Sequence, residues 1–217
     1  MPQFPKGETA PVDGLSPESA LVDAESRTFH AYVHVPYCEV KCGYCDFNTY
    51  TADEIGTSTQ GTFAQTLISE IEFAERALEK SKLPLRPMTS VFFGGGTPTM
   101  LPATDLIEML NKLKETFGIA EDADITTEAN PDSVDEQYIK DLKAGGFNRI
   151  SFGMQSAVPH VLKVLERTHN PENVVKVVNF AKAAGLFTSV DLIYGSPGES
   201  LEAVSYTHLT LPTKRIV

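Results

Sequence analysis

Short β-rich runs alternate with amphipathic helical runs from Phe29 onward, and this alternation constrains the fold more than any other feature of the chain. Periodicity and turn residues predict strands over residues 29–35, 90–93, 124–128, 147–152 and 186–193, and helices over 62–80, 104–117, 133–145, 158–166 and 170–185. Alternation of this kind is typical of right-handed βα units around a parallel sheet. We therefore expect an α/β fold, a partial (β/α) TIM-like barrel that stops after about the fifth strand.

Polar and glycine-rich segments follow the predicted strands, at the point where each strand ends. The carboxyl ends of parallel strands meet at one edge, and both α/β barrels and open α/β sheets bind ligands there. We expect the functional site at this edge.

Both ends of the chain differ from its middle. Residues 1–26 are rich in proline, glycine, serine and acidic residues, which predicts a disordered leader before a domain over residues 27–203. Residues 205–217 have no helical period and contain Pro212, so we expect no helix after Ser200. Because this string resembles translated sequencing adapter, we interpret residues 204–217 as a non-native tail, and the chain as the first part of a longer protein.

The charge and hydropathy of the chain bound its surroundings. There are 18 Lys and Arg residues against 29 Asp and Glu residues, for a net charge of -11, and no basic face is evident that could neutralise phosphates. The start of the chain lacks the cationic and apolar stretches of a signal peptide, and no apolar run approaches the ~20 residues of a membrane span. We therefore predict a cytoplasmic protein with no nucleic-acid partner and no membrane-spanning segment.

The three cysteines, Cys38, Cys42 and Cys45, form a C-x3-C-x2-C array directly after the first predicted strand. Thiolates select iron–sulfur clusters or zinc over harder ions. Structural zinc prefers four ligands, usually in two separated pairs, and the chain has no second cysteine pair. Three thiolates on a four-iron cube would leave one iron open to a small molecule. An open [4Fe–4S] cluster is favoured, with zinc or no metal as the alternatives.

The array resembles the radical SAM signature, with Tyr44 as the aromatic residue before the last cysteine. The segment from Gly94 to Pro98 (GGGTP), after the second strand, is similar to the glycine motif of that superfamily. The resemblance implies that S-adenosylmethionine binds the open iron through its amino acid end. Electron transfer from the cluster would then cleave the sulfonium to a 5′-deoxyadenosyl radical.

From about residue 32 to residue 200 the sequence is similar to the coproporphyrinogen III oxidase-like group, through segments such as TEANP, RISFGMQS and DLIYGSPGE. The resemblance implies that S-adenosylmethionine is contacted by Tyr32, Tyr44, Gly95, Gly96, Thr97, Glu128, Gln155, Arg167 and Asp191.

Some of these residues have simpler interpretations. Glu128 could cap the next helix, Gln155 could be a turn residue, and Arg167 could be a solvated surface charge. Asp191 lies in an apolar strand, where a carboxylate without a partner would be costly, so a ligand role is favoured. His169 is interpreted as part of a turn.

Phe47 distinguishes the branches of the group. The cysteine motif typical of the oxidases is C-x3-C-x2-C-x-C. In this chain, Phe47 stands at the position that corresponds to the fourth cysteine of that motif. The CDFN sequence instead resembles the haem chaperone branch, which implies haem, haemoprotein acceptors and an electron donor as partners. In members of that branch, a His-Asn-x-x-Tyr-Trp segment associated with haem binding lies further along the chain. This chain contains no Trp and therefore lacks that segment.

The resemblance assigns no catalytic side chain and leaves open whether the protein is an enzyme. Two rival functions remain: oxidative decarboxylation of coproporphyrinogen III, and a zinc-stabilised interaction module.

Overall fold

A computed structural model of the protein describes residue 9, residues 11–55 and residues 57–211. Its described part contains one sheet of five parallel strands in the order β1-β2-β3-β4-β5, so each strand pairs with its neighbour in sequence. The strands are β1 (His30–Val35), β2 (Met88–Gly95), β3 (Ile119–Ala129), β4 (Arg149–Gln155) and β5 (Phe187–Leu192). This order confirms the predicted α/β fold, a partial TIM-like barrel.

Seven α-helices lie in the described part of the chain: α1 (Ala52–Ile55), α2 (Phe63–Lys80), α3 (Ala103–Phe117), α4 (Glu136–Ala144), α5 (Pro159–Val164), α6 (Pro171–Ala183) and α7 (Leu201–Leu209). Short 3-10 turns cover Glu18–Leu21, Ala24–Ser26, Thr57–Thr62 and Pro98–Met100.

The two faces of the sheet differ in polarity because successive side chains of a strand point to opposite faces. One face packs under the helices, and its buried residues include Val33, Val35, Val91, Phe93, Ile125, Ile150 and Phe152. The other, which we call the inner face, carries Tyr32, His34, Phe92, Gly94, Glu128, Ser151 and Asp191. The hydrophobic core thus lies outside the sheet and leaves the inner face polar.

The starts of two helices follow their capping residues. Asn170 caps α6 as expected, its side chain accepting a hydrogen bond from the backbone of Glu172. The predicted capping box of Ser133 with Glu136 is wrong. Asp135 caps α4 instead, accepting from the Tyr138 amide at 2.8 Å, while the Ser133 hydroxyl donates to the Asn130 carbonyl.

A helix forms after Ser200, and the expectation that none would follow is wrong. The Ser200 hydroxyl caps α7 by accepting from the Ala203 amide at 3.1 Å. Ala203 and Thr207, four residues apart, are buried on one side of the helix. The Thr207 hydroxyl also accepts from the Ala157 amide at 3.1 Å, which ties α7 to the loop after β4. That residues 204–217 are non-native stays a prediction, and residues 212–217 lie outside the described residues.

Two residues in the described part of the predicted leader contact the domain. The Ser16 amide donates to the Ser81 hydroxyl at 3.0 Å, and Arg86 donates to the Ala24 carbonyl at 2.5 Å. Ala24 itself is buried. Ser16 and Ala24 thus contact the domain, whereas Val12 is fully exposed. A disordered leader over residues 1–26 stays a prediction, and residues 1–8 and 10 lie outside the described residues.

Among the helices of the described residues, none combines the length and apolar character needed to cross a membrane.

Candidate functional site

A pocket of about 310 Å³ opens at the carboxyl ends of the strands, where the sequence placed the site. Eleven of the twelve predicted site residues line it, namely Cys38, Cys42, Tyr44, Cys45, Gly95, Gly96, Thr97, Glu128, Gln155, Arg167 and Asp191. Tyr32 is the exception. The pocket therefore unites the cysteine loop, the glycine turn and the ends of β3, β4 and β5.

The cysteine loop is closed by main-chain hydrogen bonds at its two ends. The Cys38 amide donates to the Tyr50 carbonyl at 3.0 Å, and the Tyr50 amide donates to the Pro36 carbonyl at 2.8 Å. In its middle, the Gly43 amide donates to the Leu165 carbonyl at the end of α5 at 3.3 Å. The loop is thus held by both β1 and α5.

All three cysteines are free thiols of intermediate exposure. Burial raises the pKa of the Cys38 thiol, and the hydroxyls of Thr49 and Thr97 partly offset this effect. Burial likewise raises the pKa of the Tyr44 phenol, which lies beside Cys42 and Arg167. These thiols are accessible from the pocket, as metal ligands must be.

Arg167 is not the solvated surface charge that its simpler interpretation suggested. Its Nη2 donates to the Gly153 carbonyl at 2.6 Å, and its Nη1 lies 3.5 Å from Cys42 Sγ. Its Nε is buried and has no partner among the described residues. Arg167 therefore lines the pocket with its guanidinium beside the Cys42 sulfur.

The glycine turn comes so close to its neighbours that side chains are excluded. A Cβ on Gly96 would lie 2.5 Å from the Tyr37 carbonyl oxygen and 3.0 Å from Cys38 Sγ. Gly95 has φ +106°, and a Cβ there would lie 2.6 Å from the His34 ring. The turn is also tied to the cysteine loop, because the Thr97 amide donates to the Tyr37 carbonyl at 2.7 Å. The absence of side chains leaves backbone as a wall of the pocket.

Two carboxylates enter the pocket from neighbouring strand ends. Glu128 Oε2 accepts from the Gly95 amide at 3.3 Å, so Glu128 braces the glycine turn rather than capping α4. Burial raises the pKa of Glu128, and the Asp191 carboxylate raises it further. Two acidic groups at one site favour a ligand that carries positive charge or several hydrogen-bond donors.

Asp191 differs from the expectation that it would be buried in an apolar strand. Its side chain lies on the exposed inner face, and both carboxylate oxygens are 3.3 Å from the Ser151 hydroxyl. The pocket walls still desolvate it enough to raise its pKa, an effect that the Ser151 hydroxyl partly offsets. Asp191 is therefore not a buried carboxylate in an apolar surrounding, although it does face the pocket.

Gln155 ends β4 in the left-handed region with φ 61° and is buried in the pocket wall. It is thus a turn residue that also faces the site. A strained backbone of this kind is kept only where the surroundings hold it in place, which is common at ligand sites.

Tyr32 lies on the inner face, 59% exposed and outside the pocket lining. Its hydroxyl is 3.0 Å from His34 Nδ1, and its ring stacks on Phe92. His34 was not among the predicted site residues, yet its ring packs against Gly95. In the sequence, only the position of His34 two residues after Tyr32, on the same face of the strand, could have indicated that it lies beside the site.

His169 lies in the turn between α5 and α6, as the sequence predicted. It is buried, and neither ring nitrogen has a partner among the described residues. Burial, with the nearby Arg167 charge, lowers the pKa of His169 to about 4, so the ring is neutral near pH 7.

The donor set fits an iron–sulfur cluster with S-adenosylmethionine. Three thiols on one pocket wall could each bind a different iron of a four-iron cube, and the glycine turn and acidic strand ends could hold a polar ligand beside it. Across residues 9, 11–55 and 57–211, no three Cys, His, Asp or Glu side chains converge on one point as ligands of a single metal ion.

Comparisons with known proteins give the relationship of the chain. The sequence model of the Radical SAM superfamily matches residues 32–209. A protein named Heme chaperone HemW from Mycobacterium tuberculosis is 40% identical over 195 residues, covering 88% of this chain and 47% of that protein. Its Escherichia coli counterpart is 34% identical over 172 residues, covering 79% of this chain and 44% of that protein.

Among solved structures, coproporphyrinogen III oxidase (HemN) from Escherichia coli, described as a radical SAM enzyme, matches with a TM-score of 0.72 and 28% identity. The match covers 89% of this chain and 44% of that one. The chain therefore spans about half the length of the relatives that it matches. The family match, the sequence relatives and this structure agree with the pocket, and the chain belongs to the radical SAM superfamily, in the group that contains HemN and HemW.

Proposed function

We propose that this chain binds a [4Fe–4S] cluster through Cys38, Cys42 and Cys45 and binds S-adenosylmethionine beside it, as part of a haem chaperone. The observation that carries the proposal is the pocket, which brings the three thiols together with the glycine turn and the ends of β3, β4 and β5. When bound, the cluster supplies an electron and an open coordination position.

The residues of the chain have separate parts in this proposal. The backbone of Gly95 and Gly96 forms a wall that a ligand can approach closely, because no side chain fits there. Glu128 and Asp191 accept hydrogen bonds from the ligand, and Arg167 holds positive charge against the Cys42 sulfur. Thr97, Gln155 and Tyr44 line the remaining walls.

The similarity to proteins named Heme chaperone HemW supports haem delivery as the function of the whole protein. Phe47 supports the same branch, since it occupies the place of the fourth cysteine of the oxidases and lines the pocket, 62% exposed. Haem, haemoprotein acceptors and an electron donor would be the partners, and the cytoplasm the compartment. The role of S-adenosylmethionine would then be separate from porphyrin decarboxylation.

A second function, oxidative decarboxylation of coproporphyrinogen III, is favoured by the structural match to HemN. The deciding experiment supplies protein from the complete gene with reductant, S-adenosylmethionine and coproporphyrinogen III. The chaperone proposal predicts no divinyl product, together with binding of haem. Repeated turnover to protoporphyrinogen would replace it with the oxidase function.

Zinc binding is tested by metal analysis of the same anaerobically purified protein. The zinc-stabilised interaction module predicts one zinc per chain and no iron or sulfide, whereas the cluster proposal predicts iron and sulfide together.

A further inference from the structure

A chain of hydrogen bonds links the inner face of β1 to the cysteine loop through His34. His34 Nδ1 is 3.0 Å from the Tyr32 hydroxyl, and Nε2 is 2.9 Å from the Asn48 carbonyl oxygen. A carbonyl oxygen only accepts, so Nε2 carries the hydrogen. In the neutral ring, Nδ1 is then left to accept from Tyr32. The imidazole is therefore tied at both nitrogens.

Asn48 lies where the cysteine loop returns to β1, three residues after Cys45. Its side-chain oxygen accepts from the Tyr50 hydroxyl at 2.8 Å. The main chain of Tyr50 in turn pairs with Pro36 and Cys38 at the end of β1. The hydrogen bond from His34 to Asn48 thus joins the inner face to the part of the cysteine loop that follows Cys45.

The same ring sets the position of the glycine turn. An added Cβ on Gly95 would lie 2.6 Å from the His34 ring, so the ring and the glycine backbone are in contact. On the side of Gly95 that faces away from His34, the Gly95 amide donates to Glu128 Oε2 at 3.3 Å. The glycine turn is held between His34 and Glu128, while the cysteine loop is held by the other edge of the His34 ring.

We infer that His34 is a positioning residue that fixes the cysteine loop relative to the glycine turn, and that Tyr32 acts on the site by locking the His34 ring. The importance of this spacing for the cofactor rests on the proposed function. The spacing itself is a property of the protein alone, so the two can fail separately.

The first test is hydrogen exchange of the metal-free protein over residues 38–50. Tyr32→Phe removes one hydrogen bond, and the loss of one such bond should speed exchange about fivefold. His34→Phe keeps a ring and removes both bonds, so exchange should be about 5- to 30-fold faster. His34→Gln keeps a donor and an acceptor and should restore part of the protection.

His30→Phe is the matched control. His30 lies on the same face of β1, and its nitrogens bond the hydroxyls of Ser90 and Thr28, away from the pocket. Its loss should leave exchange over residues 38–50 unchanged. Equal exchange in wild type and Tyr32→Phe, or an equal increase in His30→Phe, would overturn the inference even where His34→Phe fails to fold.

The second test reconstitutes each variant with iron and sulfide and follows the release of iron to a chelator. Release should speed up in the same order as exchange, slowest in wild type and His30→Phe and fastest in His34→Phe. An unchanged release rate in the variants with faster exchange would overturn the role of the spacing at the cofactor. If exchange responds as expected but wild type takes up no iron, the proposed function fails and the positioning role stands.

Discussion

Gly96 is the position where the pocket tolerates a side chain least. A Cβ there would lie 2.5 Å from the oxygen and 2.9 Å from the carbon of the Tyr37 carbonyl, and 3.0 Å from Cys38 Sγ. The obstacle is mostly backbone, which cannot rotate away as a side chain can. Hydrogen bonds from Gly96 to Val35 and from Thr97 to Tyr37 hold the two segments together on either side of the contact. Gly96→Ala must therefore push the cysteine loop and the glycine turn apart.

The expected destabilisation by Gly96→Ala follows from the cost of overpacking. Forcing an extra carbon into a closely packed site costs typically about 1–3 kcal/mol in the free energy of unfolding. For a domain of this size, that loss corresponds to a melting temperature lower by about 2–12 °C. Strain from a left-handed backbone does not add to this cost, since Gly96 does not have a positive φ.

Thermal melts of the metal-free protein measure this effect without any cofactor. Gly61→Ala is the matched control, because nothing lies within 4 Å of a Cβ at that glycine. We expect Gly61→Ala to melt at or slightly above the temperature of the wild type, because alanine restricts the unfolded chain. Gly96→Ala should melt clearly below the wild type. Equal melting temperatures for the two variants would refute the close approach of the two segments, and with it the described pocket wall.

Three further predictions concern the polar side chains of the pocket. Asp191→Asn should weaken binding of S-adenosylmethionine about ten- to a hundredfold in titrations of cluster-loaded protein, because a hydrogen bond to a charged group is worth about 1.5–3 kcal/mol; equal affinity would remove Asp191 from the site. Glu128 has a raised pKa in the folded protein, so its ionisation costs stability as pH rises from its unfolded pKa through its folded pKa. Glu128→Gln should therefore raise the melting temperature relative to wild type more at pH 7 than at pH 4, and a difference independent of pH would contradict the raised pKa. Arg167→Gln should lower the free energy of unfolding of the metal-free protein by about 1–3 kcal/mol in urea melts, whereas a change within about 0.5 kcal/mol would restore the surface-charge interpretation.

Much of the fold could be predicted because periodicity reports which face of an element is buried. In α3, Leu106, Leu110 and Leu113 repeat at helical spacing, and the structure buries all three. The first and last residues of the strands and helices were harder to predict. β3 begins at Ile119 rather than near residue 124, since Ile119 pairs with Met88 of β2 ahead of an irregularity in the register. α7 was missed because its stability comes from the Ser200 cap and contacts with the loop after β4, which periodicity does not report.

The candidate site was predicted from motifs, whose spacing keeps functional residues together at the strand ends. Motifs do not show how those residues are supported. Three features depend on side-chain directions that are set only in the folded chain. These are the position of Tyr32 outside the pocket lining, the contact of Arg167 with Cys42, and the place of His34 beside Gly95. For the same reason Asp191 was expected in an apolar surrounding, although it lies on the exposed inner face.

Iron and sulfide content after anaerobic reconstitution tests the central claim most directly. We predict about four irons and four sulfides per chain in wild type, because three thiolates can hold a [4Fe–4S] cube with one open iron. Changing any one of Cys38, Cys42 or Cys45 to Ala should abolish the cluster, while His30→Phe should leave it intact. One zinc per chain with no iron or sulfide, or a full cluster in a variant that lacks one of the three cysteines, would contradict it.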